Sequence, residues 1–111
     1  MISKEEIHTL LQSTENYRVE RTISTNNMDK FCEAICAFSN DLPDSRKKGY
    51  LLIGAYDNGL LSGLKVDDAL LKKISAIRSD GNILPVPAMS VERMEFPEGN
   101  LLVVEVSPSL L

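Results

Sequence analysis

The sequence predicts an α+β domain in which a mixed, twisted sheet of about five strands packs against three helices. Two observations lead to this prediction: apolar residues recur with helical spacing in three segments, and short β-prone segments alternate with them. The resulting order, α-β-α-β-β-α-β-β, favours a mixed sheet covered by helices. Because 111 residues are the size of one ordinary domain, we expect residues 1–111 to form a single unit.

The three helices are predicted from apolar stripes and from helix-start signals. Ser3, with Glu6 three positions later, makes a capping box at the start of a helix over residues 3–12. Residues 28–39 carry apolar side chains at the i, i+3, i+4, i+7 and i+8 positions, which is typical of a central amphipathic helix. Acidic residues at the start and an arginine at the end favour a third helix over residues 66–77.

The predicted strands cover residues 17–24, 50–56, 60–64, 89–96 and 100–106. Residues 50–56 are almost all apolar, which is typical of a strand that is buried on both faces. The turn signal Asp57-Asn58-Gly59 predicts a hairpin that leads into the strand at 60–64. The last strand is strongly apolar, and an exposed strand of this kind could pair with a second copy of the chain to form a homo-oligomer.

Composition and motifs exclude several classes of protein. No apolar run approaches the ~20 residues that span a bilayer, and the polar N-terminus does not resemble a signal peptide, so we expect no membrane association and a cytoplasmic location. Cys32 and Cys36 have only His8 as a further zinc ligand, so we expect two small buried apolar side chains. The chain has no phosphate-binding loop, which argues against ATP hydrolysis. The net charge of −4 requires any nucleic-acid contact to use a local basic patch.

Four segments together resemble the Schlafen/Alba-2 domain family. They are residues 15–20 (ENYRVE), 35–40 (ICAFSN), 49–59 (GYLLIGAYDNG) with Gly63-Leu64 shortly after, and 101–108 (LLVVEVSP). The resemblance covers about residues 12–108 and implies a Schlafen Alba-like fold, a twisted mixed sheet with flanking helices. Members of this family are also described as divergent AAA-type, DNA-binding domains of bacterial transcriptional regulators. They usually continue further, so the resemblance implies that residues 1–111 are an N-terminal fragment of a longer protein.

The resemblance also implies a set of catalytic residues. Some Schlafen members are RNA endonucleases that use three acidic residues, and Glu15, Glu20 and Asp57 stand at the matching positions. Three converging carboxylates can hold Mg²⁺ or Mn²⁺, which polarises a phosphoryl oxygen and generates a nucleophilic water. This chain departs from the family pattern because Thr22 stands where a lysine beside the acids is usual, and because its loop at 41–48 is longer.

We therefore expect a non-enzymatic, nucleic-acid-binding module of a transcriptional regulator, without a required cofactor. Its predicted contacts with phosphates come from Arg18, Arg21, Arg46, Lys47 and Lys48. One alternative is a metal-dependent endoribonuclease that uses the acidic trio with Mg²⁺ or Mn²⁺, and another is a protein-interaction or oligomerisation domain. The simpler interpretation of both residue sets also remains open, in which they are solvated surface charges and turn residues.

Overall fold

The computed structural model describes residues 2–12, 18–41, 46–79 and 88–108. Within these ranges the helices are α1 (Lys4–Gln12), α2 (Met28–Asn40) and α3 (Asp68–Ser75), and a 3₁₀ turn, Ala76–Ser79, extends α3. The strands are β1 (Val19–Thr22), β2 (Gly49–Ile53), β3 (Ala88–Phe96) and β4 (Gly99–Ser107). This confirms the predicted α+β class with three helices on a mixed sheet, although the described strands number four and not about five.

The sheet has the strand order β1-β2-β4-β3. β1 and β2 are parallel and are joined through α2, whereas β4 is antiparallel to both β2 and β3. A parallel pair needs such a crossover, and a helix is its usual form. The idea that the last strand is exposed and pairs with a second copy is wrong, because β4 lies between two strands that use both of its edges.

Helices cover both faces of the sheet. On one face, α2 and α3 contribute Phe31, Ile35, Phe38 and Ile74 to a cluster with Leu51, Ile53, Leu102 and Val104. On the other face, α1 contributes Ile7 and Leu11 to a cluster with Leu52, Leu101 and Val103. The predicted packing of the central helix on the apolar strand is therefore confirmed, and successive residues of β2 enter opposite cores because strand side chains alternate.

The predicted strand at residues 60–64 is wrong. After a tight turn at 57–59, the chain makes a single antiparallel bridge, between Ala55 and Leu61, and then leaves the sheet. Gly59 and Gly63 have φ values of +86° and +82°, a left-handed conformation that an extended strand does not contain. The segment is therefore a loop that follows the turn at 57–59.

The helix starts follow the predicted signals. The Ser3 Oγ accepts a hydrogen bond from the Glu6 N–H at 3.2 Å, as a capping box requires. Asn27 and Asp67 cap α2 and α3 in the same way, each through a side-chain oxygen that accepts a backbone N–H of the first turn. In the described part of the chain, no helix combines the length and the apolar character needed to cross a membrane.

Candidate functional site

Three consecutive basic residues are exposed immediately before β2. We call Arg46, Lys47 and Lys48 the basic loop. Its backbone is held by Arg18, which lies next to the start of β1 and is 7% exposed. The Arg18 guanidinium donates to the Lys48 carbonyl oxygen at 3.3 Å and to the Lys47 carbonyl oxygen. It also donates to the Phe38 carbonyl oxygen at 3.4 Å, which ties the loop to the end of α2.

A buried carboxylate completes this arrangement. Asp41 follows α2, and its Oδ1 lies 3.7 Å from the Arg18 Nη1, with both side chains less than a tenth exposed. The Asp41 Oδ2 accepts a hydrogen bond from the Arg46 N–H at 2.7 Å. The buried pair therefore fixes the backbone at both ends of the basic loop, whose three residues remain exposed. A buried ion pair offsets the cost of its desolvation only if its remaining hydrogen-bonding groups are also satisfied. Here the main-chain contacts of Arg18 and Asp41 satisfy them.

One charge of the basic loop has a partner on the sheet. The Lys48 Nζ lies 3.0 Å from the Glu105 Oε1, and Glu105 lies opposite Tyr50 across the β2–β4 ladder. Burial raises the pKa of Tyr50 to about 12, and the negative charge and hydrogen bond of Glu105 add to this effect. Lys48 thus already neutralises a carboxylate, and all three residues of the basic loop are exposed to solvent.

The raised pKa of Tyr50 predicts a loss of stability in alkaline solution. The unfolded chain releases the phenol proton near pH 10, but the folded chain holds it to about pH 12. The stabilisation is therefore complete below pH 10 and is lost as the pH rises toward 12. Denaturant unfolding across this range should show the decline, and Tyr50→Phe should remove part of it. An identical decline in the Tyr50→Phe variant would assign it to other groups.

The second predicted arginine, Arg21, also lies inside the protein. It is 2% exposed, and its Nη1 donates to the Leu11 carbonyl oxygen at 2.8 Å. A cation at this place satisfies a carbonyl at the end of α1 and interacts favourably with the helix dipole. Arg18 and Arg21 therefore both stabilise the fold by donating hydrogen bonds to main-chain carbonyl oxygens.

Two members of the predicted acidic trio, Glu20 and Asp57, lie in the described part of the chain. Glu15 is outside the described residues. Glu20 lies in β1, and its Oε1 is 3.3 Å from the Nζ of Lys30 on α2. Asp57 is exposed in the turn after β2. Among the residues that the structure describes, no three Asp, Glu, His or Cys side chains are grouped as a metal site. The metal trio, which needs Glu15, stays a prediction.

A cavity of about 270 Å³ lies where the carboxyl ends of β1 and β2 meet. Its lining consists of Arg21, Thr22, Ile23, Lys30, Ala55, Tyr56 and Asp57. Crevices at the carboxyl ends of parallel strands are the usual ligand sites of such sheets. Ile23 and Tyr56 are 50% and 46% exposed there, although large apolar side chains are normally buried. Lys30 forms an ion pair with Glu20 and also lines this cavity together with Asp57.

Sequence reasoning missed Lys30 and Tyr56. Tyr56 was predicted to belong to the buried strand, but β2 ends at Ile53 and the chain turns at Gly54, which has a φ of +112°. Lys30 could have been found from topology, since a helix that follows a strand begins beside the carboxyl end of that strand. The basic loop is at the opposite end of β2, and five residues of strand separate the two surfaces by roughly 16 Å.

Comparison with known proteins identifies a family and a solved structure that share this arrangement of a crossover helix on a mixed sheet. The chain belongs to the Schlafen, AlbA_2 family, whose model matches residues 15–111. Its structure is similar to the solution NMR structure of the N-terminal domain of a RecG-related protein from Nitrosomonas europaea, whose name relates it to an ATP-dependent DNA helicase. The TM-score is 0.65 at 26% identity, over 97% of this chain and 74% of that one. No curated protein sequence matches the chain.

Proposed function

We propose that this chain is a nucleic-acid-binding module that contacts phosphates through the basic loop. The observation that carries the proposal is that Arg46, Lys47 and Lys48 are exposed on a backbone held by the buried Arg18–Asp41 pair. Membership of the Schlafen, AlbA_2 family supports the proposal, as does the likeness to a domain from a helicase-related protein. We further propose that this module is part of a transcriptional regulator.

The physical basis is counterion release from the phosphate backbone. Each cation that neutralises a phosphate releases condensed salt ions, so affinity falls steeply as salt increases. A loop that is already fixed loses little conformational entropy when it binds, which favours affinity from a small contact. Because the whole chain has a net charge of −4, the long-range field opposes binding, and the contact has to be local and sensitive to salt.

Removing two charges from the basic loop should weaken binding and flatten its salt dependence. In the double variant Arg46→Gln and Lys47→Gln, the slope of log affinity against log salt should become shallower by about 1.8 units for duplex DNA and about 1.4 units for single-stranded RNA, because roughly 0.9 and 0.7 units respectively are lost per phosphate contact. Fluorescence anisotropy with labelled duplex DNA and single-stranded RNA, at low and moderate salt, measures the slope. Lys48 is left unchanged because its pairing with Glu105 would complicate the result.

A matched control removes the same charge from another surface. Lys72 and Lys73 are exposed on α3, so the double variant Lys72→Gln and Lys73→Gln changes the net charge equally. The proposal expects this control to bind nearly as the unchanged protein does. If both double variants lose affinity equally, only the overall charge matters and the basic loop is not the contact. Absence of binding to either nucleic acid at micromolar protein would contradict the whole proposal.

A metal-dependent endonuclease is a second candidate, and the position of Lys30 supports it. Lys30 pairs with Glu20 and lines the cavity together with Asp57 and Thr22, and Thr22 is the position at which the family resemblance implies a lysine. An ammonium group there could contact a phosphate while the acidic trio holds Mg²⁺ or Mn²⁺.

The endonuclease proposal predicts that Mn²⁺ supports cleavage of structured RNA and that Glu20→Gln abolishes it. The amide keeps the shape of the side chain but removes the charge that would bind the ion. Gel analysis of a labelled RNA hairpin measures cleavage, and Glu33→Gln, at an exposed position of α2, is the control. Cleavage that persists in the Glu20→Gln variant would eliminate this candidate.

A further inference from the structure

The outer edge of β3 carries backbone groups that are open to a further strand. β3 is the edge strand next to β4, and its odd-numbered residues direct their N–H and C=O groups away from that ladder. Two contacts show this direction: the Met89 carbonyl oxygen accepts from the Arg78 Nη1 at 3.3 Å, and the Glu95 carbonyl oxygen accepts from the Lys4 Nζ at 2.8 Å. Long basic side chains thus cover both ends of the edge.

No described residue makes a hydrogen bond to the outward backbone groups in the middle of this edge. In the ranges that the structure describes, nothing bonds to the outward N–H and C=O groups of Val91 and Arg93. We call these two residues and Glu92 between them the open edge. Nine residues make β3 a long edge strand, and proteins usually protect such edges because they pair readily with other chains. An added strand would complete the hydrogen bonds of the open edge.

A carboxylate beside the open edge indicates what the added strand carries. The Glu92 Oε2 is buried and has no hydrogen-bond partner in the described part of the chain. Glu92 lines a cavity of about 520 Å³ together with Ile2, Lys4, Arg93, Met94 and Glu95. Lys4 reaches over to Glu95 and Phe96 and makes no ion pair with Glu92. Because a buried carboxylate oxygen without a partner is unfavourable, a cation placed in this cavity would be stabilised.

We infer that the open edge binds an extended peptide segment from a partner protein, with a lysine or arginine of that segment placed beside Glu92. A second copy of this chain fits less well. A two-fold pairing that uses both Val91 and Arg93 places Glu92 directly opposite its own copy, and like charges in that position destabilise a sheet. Other registers would have to pair with the carbonyl oxygens of Met89 and Glu95, which already accept hydrogen bonds from Arg78 and Lys4.

The test uses a capped peptide of alternating threonine and valine with one central lysine, and a second peptide with glutamine in its place. NMR titration of the full chain should show slower amide hydrogen exchange at Val91 and Arg93, but no change at Glu92, whose amide faces β4. The lysine peptide should bind about tenfold more tightly than the glutamine peptide, the difference expected for one charge-assisted hydrogen bond.

Two variants complete the experiment. Glu92→Gln should remove the preference for lysine while leaving the backbone pairing. Val91→Pro should abolish binding, because proline lacks the outward N–H that the added strand would bond. The fold should tolerate this proline, because the N–H of Val91 makes no bond within the sheet. The Arg46→Gln and Lys47→Gln variant should bind the peptide normally, which separates this inference from the nucleic-acid proposal. Equal binding of both peptides, no binding of either, or a dimer in sedimentation that Val91→Pro dissociates would each overturn the inference.

Discussion

Replacing Arg18 with methionine should lower the free energy of unfolding by about 3–5 kcal/mol, because it breaks a buried ion pair from one side. The substitution leaves Asp41 as a buried carboxylate without its cation and removes the donor from three main-chain carbonyl oxygens. Methionine keeps much of the apolar contact with Phe38, over whose ring the guanidinium lies at 5.4 Å. Urea unfolding followed by circular dichroism measures the loss.

A double-mutant cycle separates the ion pair from the packing. Asp41→Leu alone should also be costly, since it leaves Arg18 buried without its carboxylate partner. The double variant Arg18→Met and Asp41→Leu should recover part of the loss, because a buried pair removed as a whole costs less than one broken from one side. Strictly additive losses would show that the two side chains do not act as a unit.

Replacing Gly59 with alanine should cost about 3–5 kcal/mol, through backbone strain together with steric overlap. The φ of Gly59 is +86°, and an added Cβ would lie 1.9 Å from the Leu11 carbonyl oxygen, which is the acceptor of the Arg21 hydrogen bond. The overlap involves backbone on both sides, so it cannot be relieved by moving a side chain. Thermal or urea unfolding measures the change.

Gly63 is the matched control because it isolates the strain. Its φ is +82°, close to that of Gly59, but an added Cβ would meet no atom within 4 Å. Gly63→Ala should therefore cost only the left-handed conformation, about 1–2 kcal/mol. If the two alanine variants are equally stable, the close approach of the 57–59 turn to α1 does not contribute to stability.

The fold could be predicted from sequence wherever the apolar pattern had one interpretation. The helical stripe of 28–39 and the apolar run of 50–56 predicted the central packing because each pattern fits a single period. Residues 60–64 were predicted wrongly as a strand because the same apolar residues suit a loop that packs on the sheet end. Only the left-handed glycines distinguish the two cases, and their conformation is not visible in the sequence.

The candidate site was less predictable because its side chains depend on distant main-chain atoms. Arg18 and Arg21 are normally exposed types of residue, and strand alternation placed them on opposite faces. Their acceptors are the carbonyl oxygens of Phe38, Lys47, Lys48 and Leu11, which carry no side-chain signal in sequence. The exposure of the basic loop itself was predictable, because three adjacent charges rarely enter a core.

The hydrogen bonds of Arg18 have a consequence for how this protein can change. They end on carbonyl oxygens, which every amino acid possesses, so these bonds hold positions 47 and 48 whichever side chains stand there. Shape and charge are thus set by different residues. A substitution on the outside can strengthen, weaken or reverse the electrostatic attraction for a ligand, while the anchor beneath it continues to supply the same conformation.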